Sequence, residues 1–153
     1  MVEKENQRLS EFSNAIREST LKRLKAVPEG KENWRPSSGA MSFADIAQHL
    51  IDTDNWLFKK LKLKNLDPIQ GRAGSTEIAN RNQYKALLIG LEETGKKRAR
   101  ILEGLRREEL DEEIYDSRFD GKVTAWWIIV RGNLDHEIHH RGQLAVMLRI
   151  LRS

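Results

Sequence analysis

The sequence predicts an all-α protein, a four-helix bundle, on three observations. Apolar residues recur at helical spacing along four long stretches of the chain. The three prolines, Pro28, Pro36 and Pro68, all fall in polar segments between those stretches, where a missing backbone donor does no harm to a helix. Side chains suited to capping a helix start, Ser42, Ser75, Thr76 and Thr124, stand at the edges of the periodic stretches. At 153 residues the chain reads as one domain, residues 1–153, long enough to bury a core without disulfides.

Helix one is expected over roughly residues 4–27, where Leu9, Phe12, Ile16, Leu24 and Val27 follow a three- and four-residue rhythm and charged residues fill the gaps. Helix two opens at Ser42-Phe43-Ala44-Asp45, a capping box with Asp in place of the usual Glu or Gln, and gathers Phe43, Ile46, Ala47, Leu50, Leu57 and Leu61 on one side. Helix three is expected from Ser75 or Thr76 to about Arg107. Its seam of Leu87, Leu91, Thr94, Arg98, Ile101 and Leu105 is interrupted by a polar layer. Residues 108–123 make a long, charged connection between helices three and four that ends in the turn signal Asp120-Gly121, with Ile114-Tyr115 and Arg118-Phe119 suited to a short extended excursion.

Helix four runs from Thr124 to about Leu151 and carries apolar residues on two sides. Ile129, Leu144, Met147 and Leu151 share the face of His136 and His140, whereas Trp127, Leu134, Ile138 and Ala145 lie nearly opposite. A surface helix of a bundle needs one such stripe. The second predicts either a homodimer with helix four at or near its interface or burial under the 108–123 segment.

Composition removes several function classes. The chain has no cysteine, so disulfides, thiolate ligands and a cysteine nucleophile are excluded, and any metal must be held by imidazole, carboxylate, carbonyl or water. The charged start and the lack of a long apolar window predict a protein without a secretory leader or membrane span, hence a cytoplasmic one. The net charge is +4. The basic runs Lys59–Lys64 and Lys96–Arg100 read as solvated helix faces and not as a nucleic-acid surface, because no aromatic stacking platform or known motif accompanies them.

The densest chemistry is His136-Glu137-Ile138-His139-His140-Arg141-Gly142-Gln143. On a helix, His136 and His140 aim the same way, toward the core, while His139 points elsewhere. Neutral histidines there are held either by hydrogen bonds or by a metal, with Asn133 and Gln143 placed to orient their free ring nitrogens. His49, at the border of helix two's apolar stripe, is the candidate third ligand of a divalent-metal site. The same residues spell H-E-x-x-H, the zinc-protease signature. Only thirteen residues follow His140, none of them histidine or a carboxylate, so the downstream third ligand of that class is missing and proteolysis is disfavoured.

Trp34-Arg35-Pro36, then Ser42 to Leu50, then Asp120-Gly121 leading to His136 through Leu144, give the chain a resemblance to the DinB/YfiT-like family of helical-bundle metal proteins. The resemblance spans roughly residues 8–151. It implies a frequently dimeric bundle in which His49, His136 and His140 bind nickel or zinc with water completing the coordination. It also implies thiol-dependent transferase or isomerase chemistry with a low-molecular-weight thiol cosubstrate. The expected function is therefore a metal-dependent transferase or hydrolase acting on a small molecule, the ion activating bound water or a substrate thiol. Glu137 and Asp45 are the candidate bases, although Glu137 is rotated about 100° from His136. The alternative is a binding module without turnover.

Overall fold

The computed structural model describes residues 2–153, with side chains from Glu5 onward. Residue 1 and the side chains of Val2, Glu3 and Lys4, part of the charged start, lie outside the described residues. Helices α1 (Val2–Lys25), α2 (Phe43–Leu63) and α3 (Arg81–Gly104) are followed by a short α4 (Arg107–Leu110) and a hairpin of β1 (Glu113–Asp116) and β2 (Gly121–Thr124). The last helix starts as α5 (Ala125–Trp127), widens into a π-helical stretch over Ile128–Leu134, and continues as α6 (Asp135–Arg152). The expected four long helices and the long connection between the third and fourth are all present.

Side-chain pairs fix the directions. Ser10 and Arg98 bridge α1 and α3 by bonds to Ala99 and Ser13, while Tyr84 Oη donates to Leu24 O, so these helices are antiparallel. Thr94 meets Asp54 and Lys97 lies over Phe58, which makes α2 and α3 parallel. Parallel neighbours cannot be joined by a tight turn. Residues 64–80 therefore cross the length of the bundle, a connection the sequence reading replaced with an earlier start of helix three.

The reason is a competition for backbone donors. Gly74 N and Thr76 N both donate to the Asp45 carboxylate, and Ile78 N donates to Asn33 Oδ1. With those amides committed to distant side chains, helical pairing begins only at Asn80, whose side chain caps Gln83 N. The capping box at Ser42 and Asp45 forms as read.

In the hairpin, Ile114 pairs with Val123 and Tyr115 with Lys122. The turn uses positive φ at Asp120 (59°) and Gly121 (121°), which suits these two residue types. Ile114 is buried beside Leu110, Ile128 and Leu134, and Ile138 packs on the same cluster. Lys60 ties the hairpin to α2 by donating to Leu66 O and Tyr115 O. The second apolar stripe of the last helix is thus met largely within the chain by the 108–123 segment.

Two hydrophobic clusters fill the bundle. One, toward the C-terminal ends of α1 and α6, contains Leu24, Phe43, Ile46, Tyr84 and Leu144; the other, toward the hairpin, contains Ile16, Leu57, Leu102, Ile114 and Ile129. Between them lies a buried ionic layer. Arg17 and Arg98 face Asp54 and Glu137, each at least 96% shielded from solvent, with side-chain exposures of 4%, 1%, 1% and 1%. Two cations against two carboxylates leave no net charge in the core, the condition under which buried ions persist.

Candidate metal centre

His49 projects from α2 and His136 and His140 from α6; His49 meets His136 while Thr53 and Asp54 meet Asn133, so the two segments run in opposite directions and one turn of each brings the three rings together. His136 Nε2 stands 3.1 Å from His49 Nε2 and 3.0 Å from His140 Nε2. The ring centroids are 4.4 to 5.1 Å apart and all three pairs are edge-on. The convergence read from sequence is therefore present in the fold.

Gln143 sets the tautomer of His140. Its Oε1 lies 2.7 Å from His140 Nδ1, which must donate, leaving the Nε2 lone pair aimed into the cluster. The amide is oriented in turn by His139, whose Nε2 is 3.3 Å from Gln143 Nε2. His139, set aside on periodicity, thus belongs to the surroundings of the site. Asn133 does not act as expected. It accepts from Arg98 Nη1 at 2.9 Å and serves the ionic layer, because the π-helical stretch turns it toward α3.

Burial sets the charge state of the histidines. It lowers His136 to about 3, helped by repulsion from His140, His49 and Arg118. It lowers His140 to about 4, against the favourable bond to Gln143, and it moves His49 in the same direction. All three present neutral rings at neutral pH.

These residues fit a divalent ion. The single lone pair or N–H of an Nε2 serves one partner well, yet His136 Nε2 faces two ring nitrogens; its buried Nδ1, with no partner among the described residues, is the atom that would carry the proton if Nε2 ligates. Hydrogen bonding alone leaves the cluster unsatisfied. Two nitrogens each about 2.05 Å from one ion stand about 2.9 Å apart at a right angle and about 3.3 Å apart at the tetrahedral angle; the separations of 3.0 and 3.1 Å lie between.

The two candidate bases are engaged elsewhere. Glu137 accepts from Arg17 (2.7 and 3.0 Å), Arg98 (2.7 Å) and Thr20 (2.7 Å), which saturates both oxygens. Despite burial, the two guanidiniums hold its carboxyl down at about 2. The structure engages it as an anion of the buried ionic layer, between the two arginines. Asp45 accepts from Ser42 N, Gly74 N and Thr76 N at 2.8 to 2.9 Å, and these bonds hold its carboxyl below the ordinary range against the effect of burial. Its role is to fasten the 64–80 crossover to the start of α2.

That crossover roofs the centre. A Cβ on Gly71 would stand 3.0 Å from His49 Cγ and 2.5 Å from Met41 Sδ, so any other residue would have to displace the Met41 thioether and crowd the His49 ring. Nothing in the local sequence marks Gly71 for this position. The Arg98 and Thr94 interruption of helix three's seam did signal the ionic layer, but Arg17 and Asp54, charged residues inside apolar stripes, went unread.

Antiparallel helices that gather three neutral imidazoles beneath a crossover define a helical-bundle protein with a candidate metal centre. The chain belongs to the DinB superfamily, whose family model matches residues 14–144. The uncharacterized protein YjoA of Bacillus subtilis (strain 168) is 28% identical over 145 residues, covering 94% of this chain and 88% of that protein. The crystal structure of a DinB-like protein, YjoA from Bacillus subtilis, matches the fold with a TM-score of 0.71 at 23% identity, over 95% of this chain and 93% of the other. The resemblance read from Trp34, His49 and the His136–Leu144 stretch is borne out. Among the described residues no helix is long and apolar enough to cross a membrane.

Proposed function

We propose that His49, His136 and His140 bind one divalent transition-metal ion, nickel or zinc, and that the protein is a metal-dependent enzyme acting on a small molecule with a low-molecular-weight thiol as cosubstrate. The observation that carries the reading is the unsatisfied triangle of Nε2 atoms. Three neutral nitrogens with no thiolate or carboxylate among them suit a borderline ion such as nickel or zinc. Such an ion would lower the pKa of a bound water or thiol and so supply a nucleophile at neutral pH.

The chain's own residues supply the rest. Gln143 and His139 hold His140 in its ligating tautomer. The roof at Gly71 limits water access to His49. With no cysteine in the chain, a sulfur nucleophile must arrive on a cosubstrate. With Glu137 and Asp45 committed, neither takes the proton.

The test is metal analysis of tag-free protein beside a His136→Ala variant, followed by conjugation assays with electrophiles across several thiols. The reading expects one equivalent of metal in the parent, little in the variant, and turnover that follows the metal. Equal metal content in both proteins would remove the centre. Metal without turnover in any assay would leave a binding module.

A further inference from the structure

Helices α1 and α6 run parallel: Thr20 donates to Glu137, and further along both helices Lys22 and Arg23 face Arg149 and Arg152. The C-terminal end of a helix carries partial negative charge, and basic residues in its last turn are the ordinary complement to it. Each of these helices has them. Parallel packing adds what neither helix has alone: the two basic turns meet at one end of the bundle, around a cavity of about 370 Å³, a volume that holds a small molecule.

The charge gathered there is not spent within the protein. Two helix ends of about half a negative charge each offset about one of the four cations. No aspartate or glutamate lines the cavity, and none of the four cations is in an ion pair among the described residues. Arg23 is also held in place. Its Nη1 donates to Ser19 O at 3.0 Å and to Ser19 Oγ at 2.7 Å, while its Nε and Nη2 have no partner among the described residues. Three of the four cations are guanidiniums, whose planar forks match phosphoryl oxygens two at a time. Between them the lining is apolar, from Ala26, Ala145 and Leu148.

This cavity is remote from the histidine centre. From His140 to Arg149 the helix rises about 14 Å and makes about two and a half turns, so the two side chains leave α6 on opposite faces.

We propose that the basic cavity binds a diphosphate group, free or carried on a small ester, with its oxygens on Arg23, Arg149 and Arg152 and any organic part over Ala145 and Leu148. A phosphomonoester brings at most about two negative charges, fewer than the cations left unspent. A second phosphoryl group closes the difference.

The experiment is calorimetric titration of the full chain after chelator treatment, so that no ion at the histidines can take the phosphoryl oxygens. The probes are inorganic pyrophosphate and ADP, near neutral pH and in about 0.15 M salt, where exposed charges are screened beyond about 8 Å. Three variants accompany the parent. Arg149→Gln with Arg152→Gln removes two exposed cations of the cavity, and Ala145→Glu sets a carboxylate among the cations without loss of helix propensity beyond a few tenths of a kcal/mol. Lys62→Gln with Lys85→Gln removes the same net charge from exposed positions outside it.

One saturable site for pyrophosphate is expected below millimolar concentration. The arginine pair and Ala145→Glu should each weaken it about tenfold or more, a shift of about 1.4 kcal/mol, and the lysine pair should leave it unchanged. Tighter binding of ADP than of pyrophosphate assigns the site to an ester whose organic part covers the apolar lining; equal or weaker binding assigns it to free diphosphate, and either result upholds the site. Absence of saturable binding at millimolar concentration, equal weakening by the lysine pair, or a cavity variant that leaves the titration unmoved would each overturn the proposal. Phosphatidylglycerol vesicles and a DNA duplex form separate arms. Binding of either that the arginine pair abolishes, with no pyrophosphate site, would overturn the proposal by giving this face to a membrane surface or to nucleic acid. None of these outcomes depends on the metal-dependent reading above, because the titrated protein holds no ion.

Discussion

Glu137→Gln separates the two roles that the H-E-x-x-H spelling and the structure give to one residue. Glutamine keeps the side-chain volume and removes the charge, leaving Arg17 and Arg98 to share Asp54 alone. Removing one partner from a buried ion pair costs about 3–5 kcal/mol, because the remaining charges stay desolvated. With about 2–4 °C of Tm per kcal/mol for a chain of this size, the midpoint should fall by about 6–20 °C. A loss of that size is a large share of a typical total stability of about 5–15 kcal/mol. Thermal unfolding followed by circular dichroism measures it, beside metal titration at a temperature where the variant stays folded. Metal should still bind there, since Glu137 points away from the histidine cluster and into the arginines. A midpoint within about 2 °C of the parent, a shift below 1 kcal/mol, together with abolished turnover would refute the structural assignment and restore the glutamate as a base.

Three further outcomes follow from the same geometry. Gly95→Ala should lower stability despite alanine's better helix propensity, because its Cβ would stand 2.8 Å from both Arg17 Cγ and Nη1; Gly142→Ala, with open space around it, should raise stability by about 0.5–1 kcal/mol, and denaturant titration of the pair reads the contrast. Asp45→Ala removes the acceptor of three backbone amides; a loss of about 2–3 kcal/mol is expected, with faster hydrogen exchange at Gly74 and Thr76 than elsewhere in the chain. Metal-free protein should be acid-labile: the folded histidines are lowered from 6.5 to about 3 at His136 and about 4 at His140. The unfolded chain then takes up protons that the folded one refuses, so stability is full above pH 6.5 and declines as pH falls from there toward 4. Glu137, lowered from 4.5 to about 2, extends the decline from 4.5 downward. Chemical denaturation across this range checks the sign, and a stability that rose between pH 6.5 and 4 would contradict it.

How much of the site was legible depended on how local its cause was. His136 and His140 share a helix, so their common direction follows from helical geometry alone, and Gln143 is close enough in sequence to be read with them. His49 was a candidate because a histidine at the edge of an apolar stripe must face another helix. Nothing local could say which helix. The assignment of Asn133 failed for a related reason: the π-helical stretch over Ile128–Leu134 shifts its direction away from the regular 100° step that the reading assumed. The ion pairing of Glu137 could not be read locally, because its partners, Arg17 and Arg98, lie 120 and 39 residues away.

The sequence by itself determined the helical class, the start of α2 at its capping box, the polar interruption on α3 and the pairing of two histidines, since each depends on spacing within one helix or on one cap. Only the tertiary structure decided that α2 and α3 run parallel, that residues 64–80 must therefore cross the bundle, and that this crossover is pinned by Asp45 above His49. It alone matched the two buried arginines to their carboxylates. Those features are contacts between segments distant in sequence, whose energies depend on three-dimensional packing and desolvation and leave no periodic trace in the chain.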